Sequence, residues 1–101
     1  MPKRTRDYRI GLMEELRNPA LAADYVAAAL DDESPEMLLM ALRDVAEARQ
    51  MSKIAKDADV SRESLYRMLS ETGNPRYSSL IGILRALGLK LTVEADAPAE
   101  R

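Results

Sequence analysis

The sequence predicts a mainly α-helical fold: a five-helix-type compact helical domain with a helix-turn-helix, plus one short C-terminal β-strand. Asn18-Pro19 and Ser34-Pro35 are helix-start signals, and helix-favouring stretches rich in alanine or leucine follow them. The chain is 47% apolar but contains no Phe or Trp, so its core must be built from smaller, mostly aliphatic side chains, which favours close-packed helices. Residues 89–95 alternate apolar and polar side chains, which is typical of a strand.

Length and composition indicate one domain and exclude several kinds of site. The 101 residues suit a single domain with a modest core. Within it we expect an N-terminal arm and short helix at 1–17, the helix-turn-helix domain with its strand at 18–95, and a disordered tail at 96–101. The absence of cysteine excludes disulfides and thiolate metal sites. Neither a signal peptide nor a membrane-spanning stretch is recognisable, and we expect no cofactor and no metal.

Two well-marked helices are predicted in the first half of the chain. Asn18 can cap a helix, and Pro19 fits the first helical position because its missing N–H is not needed there. This helix is predicted to run to about Leu30, and Ser34-Pro35 opens a second one that runs to about Arg49. The apolar stripe expected on the first helix is Leu21, Ala22, Tyr25, Val26, Ala29 and Leu30. The stripe expected on the second is Leu38, Leu39, Leu42, Val45 and Ala46.

The regions around these helices give weaker signals. Residues 1–7 are polar and basic, and we expect a mobile arm. Residues 8–16 fit either an extended segment or one or two helical turns. The acidic run at 31–33 has no further metal ligand at a suitable spacing, which favours a solvated loop.

Residues 51–69, MSKIAKDADVSRESLYRML, are predicted to form the helix-turn-helix. Asp59 occupies the turn, where the chain often enters the left-handed region, and aspartate is one of the few residues that substitute for glycine there. Ser61 is a good N-cap for the second helix. The side chains expected to face inward are Ile54, Ala55, Ala58, Leu65, Met68 and Leu69.

The outward side of the second motif helix suits nucleic acid. An arginine guanidinium can donate two hydrogen bonds to guanine or to phosphate, and a hydroxyl can hydrogen-bond to a base or to phosphate. The residues concerned are Ser61, Arg62, Glu63, Tyr66 and Arg67. Residues 1–42 carry a net charge of −3 (five basic, eight acidic), and residues 43–90 carry +3 (nine basic, six acidic), so the positive excess falls on the motif. An ordinary helix pair with a solvated charged face is the alternative.

The C-terminal part is predicted to contain one more helix and the strand. Ser78 or Ser79 can cap the helix, and Gly88 can end it. In the strand, Leu89, Leu91 and Val93 face the same way. A lone strand leaves backbone groups unpaired, so we expect it to pair with the same strand of a second copy or with another protein.

With these elements in place, residues 34–93 resemble the HigA-type antitoxins, the addiction-module antidote proteins with a Cro and phage-repressor (XRE) type helix-turn-helix. The matching strings are ALRDVAEARQMSKIAKDADVSRESLYRMLSETGNPRYSSL and RALGLKLTV. The resemblance implies a cytoplasmic homodimer that binds double-stranded DNA at a palindromic operator and neutralises a RelE/HigB-like toxin. It also implies that Lys53 and Lys56 lie near the DNA backbone. Asp59 departs from the glycine usual in the turn of such motifs.

Three functions therefore compete. The first is an antitoxin that represses its own operon, and the second is a stand-alone transcriptional regulator with the same DNA face but no toxin. The third is an interaction module that has lost DNA binding. An enzyme is not expected, because the sequence offers no imidazole base, no thiolate and no glycine-rich phosphate loop.

Overall fold

A computed structural model describes residues 6–96, and these residues form a helical domain without a strand. Its six helices are α1 (Arg6–Glu15), α2 (Pro19–Leu30), α3 (Pro35–Ala48), α4 (Met51–Asp57), α5 (Arg62–Met68) and α6 (Tyr77–Ala86). The mainly helical prediction is confirmed. Most of the predicted N-terminal arm (1–5) and tail (97–101) lies outside the described residues.

The first helices begin where local signals place them. Residues 6–15 are helical, which decides between the two structures predicted for that region. The Asn18 side chain accepts hydrogen bonds from the backbone N–H groups of Ala20 (2.8 Å) and Leu21 (3.3 Å), with Pro19 following as expected. On α2, however, Leu21 and Leu30 are 43% and 48% exposed, so the predicted apolar stripe is buried only in its centre.

The sixth helix begins earlier than predicted. It starts at Tyr77, ahead of both serines proposed as its cap, and Arg76 takes the N-cap position without a side-chain hydrogen bond. The Arg76 carbonyl accepts the first helical bond from the N–H of Leu80 at 2.9 Å. The extended conformation of the residue after Pro75 therefore sets this start, and no hydroxyl is involved.

The core surrounds α3, which contacts α1, α2 and α4, while α4 also contacts α5 and α6. Its interior is aliphatic, as the lack of large aromatic residues predicts. The largest fully buried side chains are Leu16, Leu42, Val45, Ile54, Leu65, Leu69, Ile83 and Leu87. Burying such side chains is the main source of stability in a domain of this size.

A buried carboxylate joins the first three helices. Asp44 on α3 is 6% exposed and accepts hydrogen bonds from the Tyr25 hydroxyl (2.6 Å) and Arg9 Nη1 (3.0 Å). Arg9 also donates from Nη2 to Glu47, one turn further along α3. Burial alone would lower the pKa of Arg9, but the bonds to Asp44 and Glu47 outweigh it and raise that pKa.

Arg49, just after α3, fastens two distant chain segments. Its Nε donates to the carbonyl of Leu16 at 3.2 Å, and its Nη1 donates to the carbonyl of Leu87 at 3.1 Å. These carbonyls follow α1 and α6, so one guanidinium satisfies acceptors that their helices leave unpaired. The ends of α1 and α6 are thereby held against the end of α3.

Three helices end on a residue in the left-handed region: Gln50 after α3 (φ 78°), Asp59 after α4 (φ 62°) and Gly88 after α6 (φ 80°). After α6, the N–H of Leu89 donates to the Leu84 carbonyl at 2.8 Å, which completes a Schellman ending. The predicted stop at Gly88 is confirmed. Gln50 was not predicted, because glutamine gives no local signal for positive φ.

The strand predicted for residues 89–95 is not formed in the described chain, which corrects that prediction. Residues 89–96 have no regular secondary structure. Leu89 packs partly against the core, whereas Leu91 and Val93 are 42% and 97% exposed. A β-strand needs a second strand whose backbone N–H and C=O groups pair with its own. No other extended segment of residues 6–96 offers such groups.

Candidate nucleic-acid interface

The first helix of the predicted motif, α4, separates apolar from charged side chains. Met51, Ile54 and Ala55 are at most 5% exposed and face the core, as predicted for the last two. Lys53 and Lys56 are exposed on the other side. Lys53 Nζ lies 3.4 Å from Asp57 Oδ2, but both side chains remain well exposed, so this pair holds the lysine only weakly.

The turn between α4 and α5 is a Schellman ending built on aspartate. The N–H of Val60 donates to the Ala55 carbonyl (2.9 Å), and the N–H of Asp59 donates to the Lys56 carbonyl (3.1 Å). Val60 is half-buried against the core. The positive φ predicted for Asp59 is confirmed, and it turns the chain sharply into the next helix.

The second helix, α5, is fixed at its start and on its inner side. The Ser61 side chain accepts from the N–H of Ser64 at 3.0 Å, which confirms the predicted N-cap. Leu65 is fully buried and Leu69, just after the helix, is 1% exposed, while Met68 is partly buried. Because the inner side is packed so tightly, the helix has one orientation, and its other side is turned to solvent.

The structure brings the sequence-predicted residues of α5 to this outer side. Ser61, Arg62, Glu63 and Arg67 are exposed, and Tyr66 is half-buried. Two guanidiniums, one carboxylate and several hydroxyls therefore lie on a single short helix. Such a set can donate to phosphate and to the acceptor edge of guanine, and it can accept from cytosine.

Two guanidiniums lie over the Tyr66 ring, and one of them was not predicted. The Arg62 Cζ lies 5.2 Å from the centre of the Tyr66 ring, and the Arg43 Cζ lies 5.7 Å from it. Both distances are within the range of cation–π attraction. Arg43 comes from α3, also lies 3.9 Å from a Glu47 oxygen, and adds a third arginine to this surface.

Ser64 is a second residue that the sequence reading missed. Arg67 Nη2 donates to Ser64 Oγ at 3.2 Å, and the Ser61 hydroxyl lies 2.9 Å from the same oxygen. These bonds restrict the Arg67 side chain, so less conformational freedom is left to lose on binding. The spacing Ser61-x-x-Ser64 is a local signal that could have revealed the contact between the two hydroxyls.

Other kinds of site find less support in the described residues. Between residues 6 and 96, no three acidic side chains come close enough to hold a metal ion. No helix in that range is long and apolar enough to cross a membrane. A groove of about 170 Å³ lies between α6 and the segment that follows it, and Tyr77, Ile81, Leu89 and Leu91 contribute to its lining.

Comparison with known proteins gives a family match over most of the chain. A family model described as "Probable addiction module antidote protein" matches residues 8–95. An uncharacterized protein of Haemophilus influenzae is 37% identical over 94 residues, which cover 93% of this chain and 95% of that relative. No solved structure matches the chain.

Proposed function

Because the chain belongs to the family of "Probable addiction module antidote" proteins, whose role implies a toxin partner, we propose that it is the antitoxin of a type II toxin–antitoxin system. In this proposal it neutralises a RelE/HigB-like toxin in the cytoplasm. It also represses its own operon by binding double-stranded DNA as a homodimer. It has no enzymatic activity of its own.

The observation that carries the DNA-binding part is the orientation of α5. Leu65 on its inner side is completely buried, whereas Arg62 and Arg67 are exposed on its outer side. The helix follows a tight turn after α4, and this short connection supports a helix-turn-helix. The stacking of Arg62 on Tyr66 and the bond from Arg67 to Ser64 preorganise both guanidiniums.

The proposed contacts divide into two groups. Lys53, Lys56 and Ser61 contact phosphates and set the register, while Arg62 and Arg67 read base edges in the major groove. Glu63 can accept from a cytosine amino group, and Tyr66 supports the guanidinium beside it. Seven residues on one short motif make only half of a site, so a palindromic operator would be read by two copies about 34 Å apart.

Dimerisation is proposed through the C-terminal segment. Leu91 and Val93 are exposed apolar residues, and Tyr77, at the start of α6, is 74% exposed. Tyr77, Leu89 and Leu91 border the groove beside α6. A second copy covering this region would remove apolar surface from water and fix the distance between two α5 helices. Sedimentation of the wild type and of Val93→Asp tests it, because the variant should shift toward monomer.

The DNA test uses the upstream region of the chain's own operon as probe. Arg62→Ala and Arg67→Ala should each weaken specific binding by roughly 1–3 kcal/mol, measured by fluorescence anisotropy. Arg17→Ala is the matched control, because Arg17 is exposed in the N-terminal half, away from the motif. If both motif variants bind like the wild type, the proposed interface is wrong.

The toxin part has its own test. Co-expression with the product of the neighbouring gene should give a complex that survives purification, whereas a stand-alone regulator would bind the operator but not this product. Retention on operator DNA should fall steeply with salt concentration, since phosphate contacts release counterions. A protein that forms the complex but shows no such retention would be an antidote without a repressor role.

A further inference from the structure

Helix α2 carries apolar side chains on all sides and a single acidic one, Asp24, which is unusual for a helix that the chain covers on only one side. Its sequence, PALAADYVAAAL, contains one ionisable carboxylate, Asp24, and one phenol, Tyr25. Helices that are apolar all round are ordinarily buried all round. In this chain, Ala22, Val26 and Ala29 are buried against the core, and the opposite side is exposed.

The exposed side, which we call the outer face of α2, consists mainly of small apolar side chains with larger ones at its edges. Ala20, Ala23, Ala27 and Ala28 surround Asp24. Leu21 and Leu30 border the face and are 43% and 48% exposed. By contrast, the exposed side of α4 carries two lysines, a serine and an aspartate, the composition expected of a surface that stays in water.

The neighbouring surface also leaves apolar side chains in water. On α1, Tyr8 and Ile10 are 50% and 52% exposed, and on α3, Met37 and Met40 are 40% and 51% exposed. Met37 and Met40 lie two turns and one turn before Asp44, the residue that α1 and α2 both contact. Exposed apolar side chains are typical of protein-binding regions, and flexible methionine suits such a region.

The negative charge of the N-terminal region indicates which kind of partner binds the outer face of α2. Residues 1–42 contain eight acidic and five basic side chains, a net charge of −3, and one of the basic side chains, Arg9, is already paired with Asp44 and Glu47. Asp24 lies within the face, and the exposed acidic run 31–33 follows the end of α2. This charge would repel DNA. It would also repel a second copy of the chain, since two outer faces would bring their Asp24 carboxylates together.

We infer that the outer face of α2 binds a basic protein surface, and that this protein is the toxin; the identification of the partner rests on the proposed function. Alanine side chains let the backbone of the partner approach closely. Asp24 can then accept from an arginine or lysine, inside an apolar contact that excludes water and strengthens the pair.

The experiment measures the affinity of the purified neighbouring-gene product for the full-length chain and its variants. Ala27→Arg adds a long cationic side chain at the centre of the face, and it should weaken the complex at least about tenfold. Ser78→Arg is its control on the exposed side of α6. Asp24→Arg should weaken the complex similarly, and Glu71→Arg is its control with the same change of charge.

Melting temperature and operator affinity are measured for Ala27→Arg and Asp24→Arg, and both should stay at the wild-type values because the face is exposed and is not part of the motif. Wild-type toxin affinity in Ala27→Arg and Asp24→Arg would overturn this inference and leave the proposed function standing. A wild-type chain that does not bind the product at all would overturn the toxin part of the proposed function, and the inference with it. Loss of self-association in Ala27→Arg would assign the face to a second copy and likewise overturn the inference.

Discussion

Replacing Gly73 by alanine should destabilise the domain more than any other glycine-to-alanine change in residues 6–96. A Cβ at this position would lie 2.2 Å from the Met68 carbonyl oxygen, 2.7 Å from its carbon and 2.9 Å from the Arg67 oxygen. All three are backbone atoms at the end of α5, so no side chain can move aside. Reaching ordinary contact distance requires a displacement of about 1 Å, and overpacking of this kind costs about 1–3 kcal/mol.

Gly82→Ala is the matched control and should change stability in the opposite direction. A Cβ at Gly82 meets nothing within 4 Å, and the residue lies inside α6. Alanine there should stabilise by about 0.5–1 kcal/mol, because it loses less backbone entropy on folding. The sequence left open whether Gly82 serves a close helix approach, and the empty space around it argues against that role.

Thermal unfolding followed by circular dichroism measures both effects. With about 4–8 °C per kcal/mol for a domain of this size, Gly73→Ala should lower the midpoint by about 4–24 °C and Gly82→Ala should raise it by about 2–8 °C. The stability changes of the two substitutions should add in the double variant, because the sites share no contact. A wild-type midpoint for Gly73→Ala would refute the reasoning.

Three further predictions concern the turn, the buried carboxylate and the start of α3. Asp59→Ala should lower stability by about 1 kcal/mol and Asp59→Gly should not, because φ is 62° and only glycine adopts it without a penalty; urea midpoints measure the difference. Asp44→Ala should cost about 2–3 kcal/mol in the same assay and Tyr25→Phe less, since the first change removes two charge-assisted bonds and the second only one; equal costs would contradict this. The hydrogen bonds from the Ser34 hydroxyl and from the backbone N–H of Glu36 lower the pKa of the Glu36 carboxyl. The carboxylate therefore contributes its full stabilisation of the fold above the pKa that it has in the unfolded chain, and this stabilisation is lost as the pH falls through its pKa in the folded protein. Glu36→Gln should therefore reduce the loss of melting temperature between neutral and acidic pH, and an unchanged acid limb would show that this carboxyl contributes nothing.

Local chemistry explains which parts of the fold were predictable. Asn18 and Asp59 act within three residues of their own positions, through a cap and a turn, so the sequence was sufficient to place them. Gln50 takes a positive φ without any such signal, because the packing of α3 and α4 decides its conformation. Val93 belongs to a pattern that is typical of a strand, but forming a strand requires partner backbone that the described chain does not contain.

The candidate interface was predictable only along one helix. Periodicity places Arg62 and Arg67 on the outer side of α5, because Leu65 must face inward. It cannot place Arg43, which is 23 positions before Tyr66 and reaches the ring only because α3 packs beside the motif. Residues that complete a surface from another helix depend on tertiary packing, and periodicity within one helix carries no information about them.

Helix α3 lies between the N-terminal helices, which carry the proposed toxin-binding face, and α5, which carries the proposed DNA contacts. Glu47 accepts a hydrogen bond from Arg9 on α1 and lies 3.9 Å from Arg43, whose guanidinium lies over Tyr66 on α5. A change that loosens the N-terminal helices therefore also affects α3, which carries the guanidinium beside the proposed DNA reader. Loss of DNA binding in a variant of α1 or α2 is consequently ambiguous until its stability is known. Operator affinity should be compared at temperatures well below each variant's own unfolding midpoint.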